Sequence, residues 1–157
     1  MANTYSQLII QIVFAVNGRD NLISSKNREE LEKYISGIIE NKGQRMLAIY
    51  IMPNHAHILV GMQPNMAVSD LTRDIKSNSS KFINQSKWVK GKFSWQEGFG
   101  SFSYSKSQID SVVNYILNQE QHHKKMTFKQ EYLEFLDKFN IEYKEEYLFD
   151  WIEDDII

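Results

Sequence analysis

From Tyr5 to Val16 the apolar side chains recur at every second residue. Leu8, Ile10, Ile12, Phe14 and Val16 fall on one face, and Gln7, Ile9, Gln11, Val13 and Ala15 on the other. A period of two is that of an extended strand, whose successive side chains point to opposite faces. The turn-rich Asn17-Gly18-Arg19-Asp20-Asn21 closes it. From Asn27 to about Lys42 the period lengthens, and Leu31, Ile35, Ile38 and Ile39 form one stripe of a helix that stops at Gly43. Arg45 to Met52 predicts a second strand, Pro53-Asn54 a turn, and His55 to Met62 a third strand, so the last two pair as an antiparallel hairpin. A second helix is expected from about Ser69 to Ser86, with Leu71, Ile75, Phe82 and Ile83 inward. Gly91 to Trp95 and Gly100 to Tyr104 read as two short strands separated by Gln96-Glu97-Gly98.

Ser107-Gln108-Ile109-Asp110 opens a third helix that reaches about His122 and turns Ile109, Val112, Val113, Ile116 and Leu117 to the core. Tyr115 and Gln119 are four apart, so they stand one turn above the other on a stripe beside that face. Thr127-Phe128-Lys129-Gln130 caps a fourth helix to about Lys138, and the aromatic stretch from Ile141 to Trp151 is expected to pack irregularly on the body. The element order is β-α-β-β-α-β-β. Without its last strand this is the ferredoxin-like split βαβ pattern, an α+β fold whose antiparallel sheet carries both helices on one face and leaves the other free. The C-terminal tyrosine-bearing helix and a short helical tail are additions to it.

A chain of 157 residues with 42% apolar content points to one domain with a real core. No stretch approaches the roughly 20 apolar residues of a membrane span, and Met1-Ala2-Asn3-Thr4-Tyr5 lacks a basic region followed by an apolar one. A cytoplasmic protein with no membrane partner is expected. Cysteine is absent, so disulfides, thiolate metal sites and cysteine nucleophiles are excluded, and any metal must be bound through nitrogen and oxygen. Charge is unevenly placed. Residues 1–125 hold 15 Lys and Arg against 10 Asp and Glu, whereas residues 126–157 hold 3 against 10. A basic body with an acidic tail suits a binder of polyanions, and equally a tail that is merely solvated.

Two of the four histidines, His55 and His57, lie in the third strand and project side by side. Two imidazoles held that way can grip one metal ion, given a third partner from elsewhere in the chain. Arg73, Lys76, Lys81, Lys87, Lys90 and Lys92 stand against Asp74 alone between residues 71 and 95. They form a basic surface for the phosphate backbone of a nucleic acid, or only a solvated helix face. His122, His123, Lys124 and Lys125 end the third helix, where cations interact favourably with the helix C-terminus.

His55-Ala56-His57 on a strand with Tyr115-x-x-x-Gln119 on a late helix resembles the histidine-hydrophobe-histidine (HUH) nucleases. More narrowly, the chain resembles the single-tyrosine transposases of small bacterial insertion sequences. The likeness extends through Met52-Pro53-Asn54-His55-Ala56-His57-Ile58-Leu59, Trp95-Gln96-Glu97-Gly98-Phe99-Gly100 and Asn114-Tyr115-Ile116-Leu117-Asn118-Gln119-Glu120-Gln121-His122-His123. Ala56 is a small choice for the hydrophobe, and Phe99 stands where relatives often have Tyr.

The resemblance implies that His55, His57 and Gln119 bind Mg²⁺ or Mn²⁺, that Tyr115 is the nucleophile, and that no organic cofactor takes part. It implies a catalytic domain over 1–125, with 126–157 as a C-terminal helix and acidic tail packed on it. It also implies a homodimer in which the tyrosine helix of one subunit completes the metal site of the other. The substrate would be single-stranded DNA folded into hairpins at an element's ends, cut and rejoined through a 5′-phosphotyrosine.

The chemistry is consistent with those roles. A divalent cation offsets the charge of a phosphodiester in the transition state, and imidazole ligation favours Mn²⁺ over Mg²⁺. A phenol with an ordinary pKa near ~10 needs help to attack, and the sequence names no general base. A tyrosyl phosphodiester conserves the energy of the bond it replaces, which fits rejoining. A domesticated nuclease that processes chromosomal repeats, and a catalytically idle DNA-binding module, are the alternatives.

Overall fold

The computed structural model describes residues 3–152. Met1 and Ala2, and the acidic end of the tail at 153–157, lie outside the described residues. Strands β1 (Leu8–Ala15), β2 (Arg45–Ile51), β3 (His55–Met62) and β4 (Gly100–Tyr104) form one sheet in the order β2-β3-β1-β4. Every neighbouring pair is antiparallel, with Val13 opposite His57, Ala15 opposite His55 and Gln11 opposite Phe102. Helix α1 (Arg28–Asn41) crosses from β1 to β2 over β3, and α2 (Val68–Ser86) from β3 to β4 over β1. This is the expected ferredoxin-like arrangement.

Alternation places each strand's side chains. Ile12, Phe14, Ile58 and Val60 meet Leu31, Ile35 and Ile39 of α1 and Leu71, Ile75 and Ile83 of α2 in one core, all of them fully buried. A side chain of this kind contributes about 1.5–3 kcal/mol when fully buried. The opposite face is not free, in contrast to what the pattern alone suggests. Ile9, Ala48 and Leu59 make it apolar as well, and Val112 and Ile116 of α3 (Ile109–Leu117) pack on them. Helix α5 (Phe128–Lys138) covers the rest, where Phe135 stacks on Phe102 at 5.0 Å.

Two expectations change. Residues 91–95 are not a strand, apart from a single bridge between Trp95 and Val16. The Asn84 side chain takes the place of a strand partner there, accepting from Phe93 N at 2.7 Å and donating to Phe93 O at 3.1 Å. The third helix does not run unbroken to His122. It ends at Leu117, Asn118 leaves helical geometry at φ −104° and ψ 26°, and a single turn, α4 (Gln119–His122), restarts it.

The docking of α5 on β4 depends on one missing side chain. A Cβ at Gly100 would stand 2.7 Å from Tyr132 Oη and 2.9 Å from its ring. Tyr132 cannot yield easily, because it is held against Phe149 at 5.0 Å and Phe128 at 5.8 Å. Gly100→Ala should therefore cost about 1–3 kcal/mol by overpacking. A urea melt should show a lower Cm with an unchanged m-value.

Candidate active site

The sheet face covered by α3 and α5 carries both strand histidines, each fully buried. Each is oriented through its Nδ1. His55 Nδ1 donates to Asn54 Oδ1 at 2.7 Å. His57 Nδ1 donates to Gln11 Oε1 at 2.7 Å, and Gln11 Nε2 in turn donates to Tyr104 Oη at 2.7 Å. A ring whose Nδ1 holds the proton keeps a lone pair on Nε2, and both Nε2 atoms face the same space. The rings lie 5.0 Å apart, and His55 is stacked on Phe128 at 4.0 Å.

Three groups close on that space from the helices above. Gln119 Oε1 lies 3.2 Å from His55 Nε2. Glu131 Oε1, from α5, lies 3.0 Å from His57 Nε2 and 3.6 Å from His55 Nε2. His123 Nε2 lies 3.0 Å from Gln119 Oε1 and 3.1 Å from Glu131 Oε1. The second carboxylate oxygen, Glu131 Oε2, accepts from Gln119 Nε2 at 3.0 Å and from the Tyr115 hydroxyl. Tyr115, His55, His57 and Gln119 therefore converge within a single chain.

Sequence reasoning misses Glu131 as a site residue and misplaces His123. His123 is no solvated helix-end cation: it is fully buried, on the inward stripe it shares with Gln119. Lys124 and Lys125 are exposed, and His122 stacks on the Tyr115 ring at 4.3 Å. A signal for His123 exists in the spacing, since Tyr115, Gln119 and His123 succeed one another at intervals of four. For Glu131 it is a lone acid three residues after Phe128 and four before Phe135, on the inward stripe of α5.

The electrostatics follow from burial. Burial by itself would raise the Glu131 pKa, but His57 beside it and hydrogen bonds from His123 and His57 overcome this and hold the carboxyl well below the usual range. Burial, then the neighbouring His57, push His55 well below the ordinary histidine value. The Tyr115 phenol is pushed far above its usual value by burial and by the Glu131 charge, so at rest it keeps its proton. Glu131 Oε1, Gln119 Oε1 and the Nε2 atoms of His55 and His57 are turned toward one another, and each nitrogen can serve as a ligand when it carries no proton. Ligand atoms of His55, His57 and Glu131 all lie within 4.8 Å of one another. Nitrogen and oxygen donors so placed fit a divalent cation. A cavity of about 410 Å³, lined by Tyr104, Gln108, Ser111 and Phe135, reaches this group at Tyr115 and Glu131.

Arg28 braces the broken helix from outside. It lies over the Tyr50 ring at 4.6 Å and 3.5 Å from Glu120, and Tyr50 Oη donates to Glu120 at 2.8 Å. The turn that carries Gln119 is thereby tied to α1 and β2.

The basic residues lie over the other sheet face and differ among themselves. Lys81, Lys87, Lys90 and Lys92 are exposed. Arg73 pairs with Asp70 at 3.2 Å and Asp74 at 3.7 Å. Lys76 is half-buried and donates to Gln96 O at 2.8 Å and to Gly98 O, and burial pushes its pKa down to about 8. Serines 77, 80 and 94 and Asn84 line a shallow groove between Lys81 and Lys92.

No helix among the described residues is long and apolar enough to cross a membrane. No curated protein matches the sequence. Among solved structures, the chain is similar to a candidate transposase from Deinococcus radiodurans R1, with 19% identity and a TM-score of 0.59 over 74% of this chain and 94% of that one. It is also similar to a REP-associated tyrosine transposase bound to a REP hairpin, with 16% identity and a TM-score of 0.58 over 77% of this chain and 72% of that one. At such identities the likeness concerns the fold. The sequence itself matches the family described as "Transposase IS200 like" over residues 4–119, a span that holds His55, His57, Tyr115 and Gln119. With that match over most of its length and a paired-histidine site on the shared fold, the chain belongs to the IS200-like transposases.

Proposed function

We propose that this transposase cleaves and rejoins single-stranded DNA through Tyr115, at a metal centre held by His55, His57 and Gln119 together with Glu131. One observation carries the proposal: a phenol, two aligned imidazoles, an amide oxygen and a carboxylate meet in one buried site. A divalent ion bound there would supply a Lewis acid for a non-bridging phosphate oxygen. The chain's own groups do the rest. The Tyr115 oxygen attacks phosphorus, the bond to the 3′ oxygen breaks, and its electron pair leaves with that oxygen. The released 3′ oxygen takes up a proton, and the products are a 5′-phosphotyrosine and a 3′ hydroxyl. Tyr115 already donates its O–H to Glu131 Oε2, so that carboxylate is placed to receive the phenol proton. Attack by a terminal 3′ hydroxyl reverses the step and joins the strand.

Hairpin-bearing DNA as substrate is supported by the REP hairpin in the related tyrosine transposase. The exposed Lys81, Lys87, Lys90 and Lys92, with Arg73, would hold its backbone, while Lys76 positions the loop at Gln96 and Gly98. A homodimer acting in the cytoplasm is part of this reading. Exchange of tyrosine helices between subunits is not needed to assemble the site, since Tyr115 reaches the histidines of its own chain. An idle DNA-binding module would gain nothing from so complete a set.

Four outcomes are expected. Tyr115→Phe should abolish the covalent adduct with a labelled hairpin oligonucleotide on a denaturing gel, while hairpin affinity stays within about twofold; adduct at the normal rate would refute the nucleophile. His57→Ala should lose the rise in melting temperature that Mn²⁺ gives the metal-free protein, along with chelator-sensitive cleavage. Changing Lys81, Lys87, Lys90 and Lys92 together to Gln should flatten the salt dependence of DNA binding, the log–log slope falling by about 0.7–0.9 for each phosphate no longer neutralised. Lys76→Gln should leave that slope alone and lower thermal stability instead.

A further inference from the structure

The cavity of about 410 Å³ beside Tyr115 has a floor and a rim of different chemistry. We propose that it is a pocket for one unpaired nucleobase, that of a nucleotide adjoining the scissile phosphate, and that Glu134 on its rim makes it select a base bearing an amino group over thymine. The proposal rests on the strand-cleaving reading above and names what that site reads.

Position gives the class of occupant. Gln11 and Glu131, both buried, form the floor together with Tyr115, and the exposed Gln108, Ser111, Glu134 and Lys138 form the rim. Whatever fills the cavity therefore lies against the phenol. In a strand cleaved by Tyr115, that is the nucleotide on one side of the cut. The volume falls within the ~300–1,000 Å³ of small-molecule sites, which admits a single nucleotide and excludes a duplex.

The walls suit a flat ring. Phe135 is buried and fixed by its stack on Phe102, and the Tyr104 ring is fixed by the edge of Phe139 at 5.6 Å. Bases pack on such faces whatever their identity, so polar groups are left to tell them apart. Tyr104 Oη accepts from Gln11, and its own proton has no acceptor among the described residues. Burial pushes its pKa up to about 12, so that proton stays available to donate. Gln108 spends its amide oxygen on Ser105, which leaves its amide protons for the cavity.

Glu134 decides the preference. Behind burial and Glu131, its charge adds to the rise in the Tyr115 pKa, so it stands near the phenol, and no hydrogen bond or ion pair holds it among the described residues. A carboxylate only accepts. It repels a phosphate, so this rim is no backbone groove, and it receives the amino group of adenine, cytosine or guanine. Thymine presents carbonyl oxygens on both sides of its ring N–H, and they would face a like charge. Lys138, one turn further along α5, is placed for the phosphate beyond the base.

The test uses the full-length protein with Mn²⁺ and a hairpin oligonucleotide whose single-stranded flanks are randomised, the covalent adducts and released strands being sequenced. One of the two positions flanking the cut should be depleted of thymine at least tenfold. Glu134→Gln should reduce the depletion to threefold or less, because an amide both donates and accepts. Pairing within the DNA would bias both proteins alike, so an unchanged ratio in the variant would overturn the proposal. In a recovered sequence, an abasic site at that position should slow adduct formation at least tenfold while hairpin affinity stays within twofold; an unaffected rate would overturn it as well. Should Glu134→Gln fail to fold, Glu134→Ala, with a better helix former, repeats the measurement with the same two outcomes. Failure of the underlying reading has a separate signature: no member of the pool forms an adduct, or the adduct persists in Tyr115→Phe.

Discussion

A carboxylate taken out of water must be surrounded by partners, and Glu131 governs how the second face of this sheet is closed. Removing one such ion from solvent costs several kcal/mol even after the protein relaxes. The cost is offset only because Tyr115 and Gln119 donate to one oxygen while three imidazoles converge on the other. Those partners come from β3, α3, α4 and the turn after it, and Glu131 comes from α5. The three successive helices α3, α4 and α5 are thus held to the distant strand β3 by one charge. The apolar contacts of Phe135 on Phe102 and of Phe128 on His55 give α5 its affinity for the sheet. The carboxylate adds register, because a shift of α5 by one residue would bury it without partners.

That arrangement also explains why the tyrosine can rest beside a metal-binding group without reacting. Burial and the Glu131 charge both favour the protonated phenol. A cation held by His55, His57 and Glu131 would offset that charge, so the phenol's environment would change with what binds, and on the proposed mechanism the carboxylate that holds the proton at rest would be adjacent to receive it.

Much of this is legible from periodicity. The alternation through Ile12, Phe14 and Val16, and the helical spacing of Leu31, Ile35 and Ile39, mark strands and packed helices because each signal reports which face meets the core. The pair His55 and His57 is legible because a strand fixes the direction of side chains two apart. What periodicity misses is long-range or local in another sense. Residues 91–95 have strand-like composition, but Asn84 satisfies Phe93 by side chain, which no period reveals. The expectation of a free second face fails because Ile9 and Leu59 alternate with residues that are covered too, so both sides of their strands are packed. The expectation of a solvated helix end at His123 fails because α5 folds back over that end and brings Glu131 against the ring, a long-range contact that periodicity does not report.

The two faces of the sheet carry different groups, the histidines on one and the basic helix on the other. The histidines enter at the start of β3, opposite Ala15 and next to the bond from Val16 N to Asn54 O. The loop that follows Lys92 returns to the same end of the sheet, where Asn17 N donates to Ser94 O, Gln96 N donates to Ala15 O and Trp95 pairs with Val16. Whereas the cavity that reaches Tyr115 opens along Gln11 and Tyr104 toward the other end of the sheet, the basic groove lies toward this one. The C-terminal segment also crosses there, where Gln96 exchanges two hydrogen bonds with the Asp150 backbone at 2.7 and 2.8 Å. The same glutamine is bonded to the Val16 carbonyl at 2.9 Å. One side chain therefore joins the sheet's end, the loop of the basic groove and the tail.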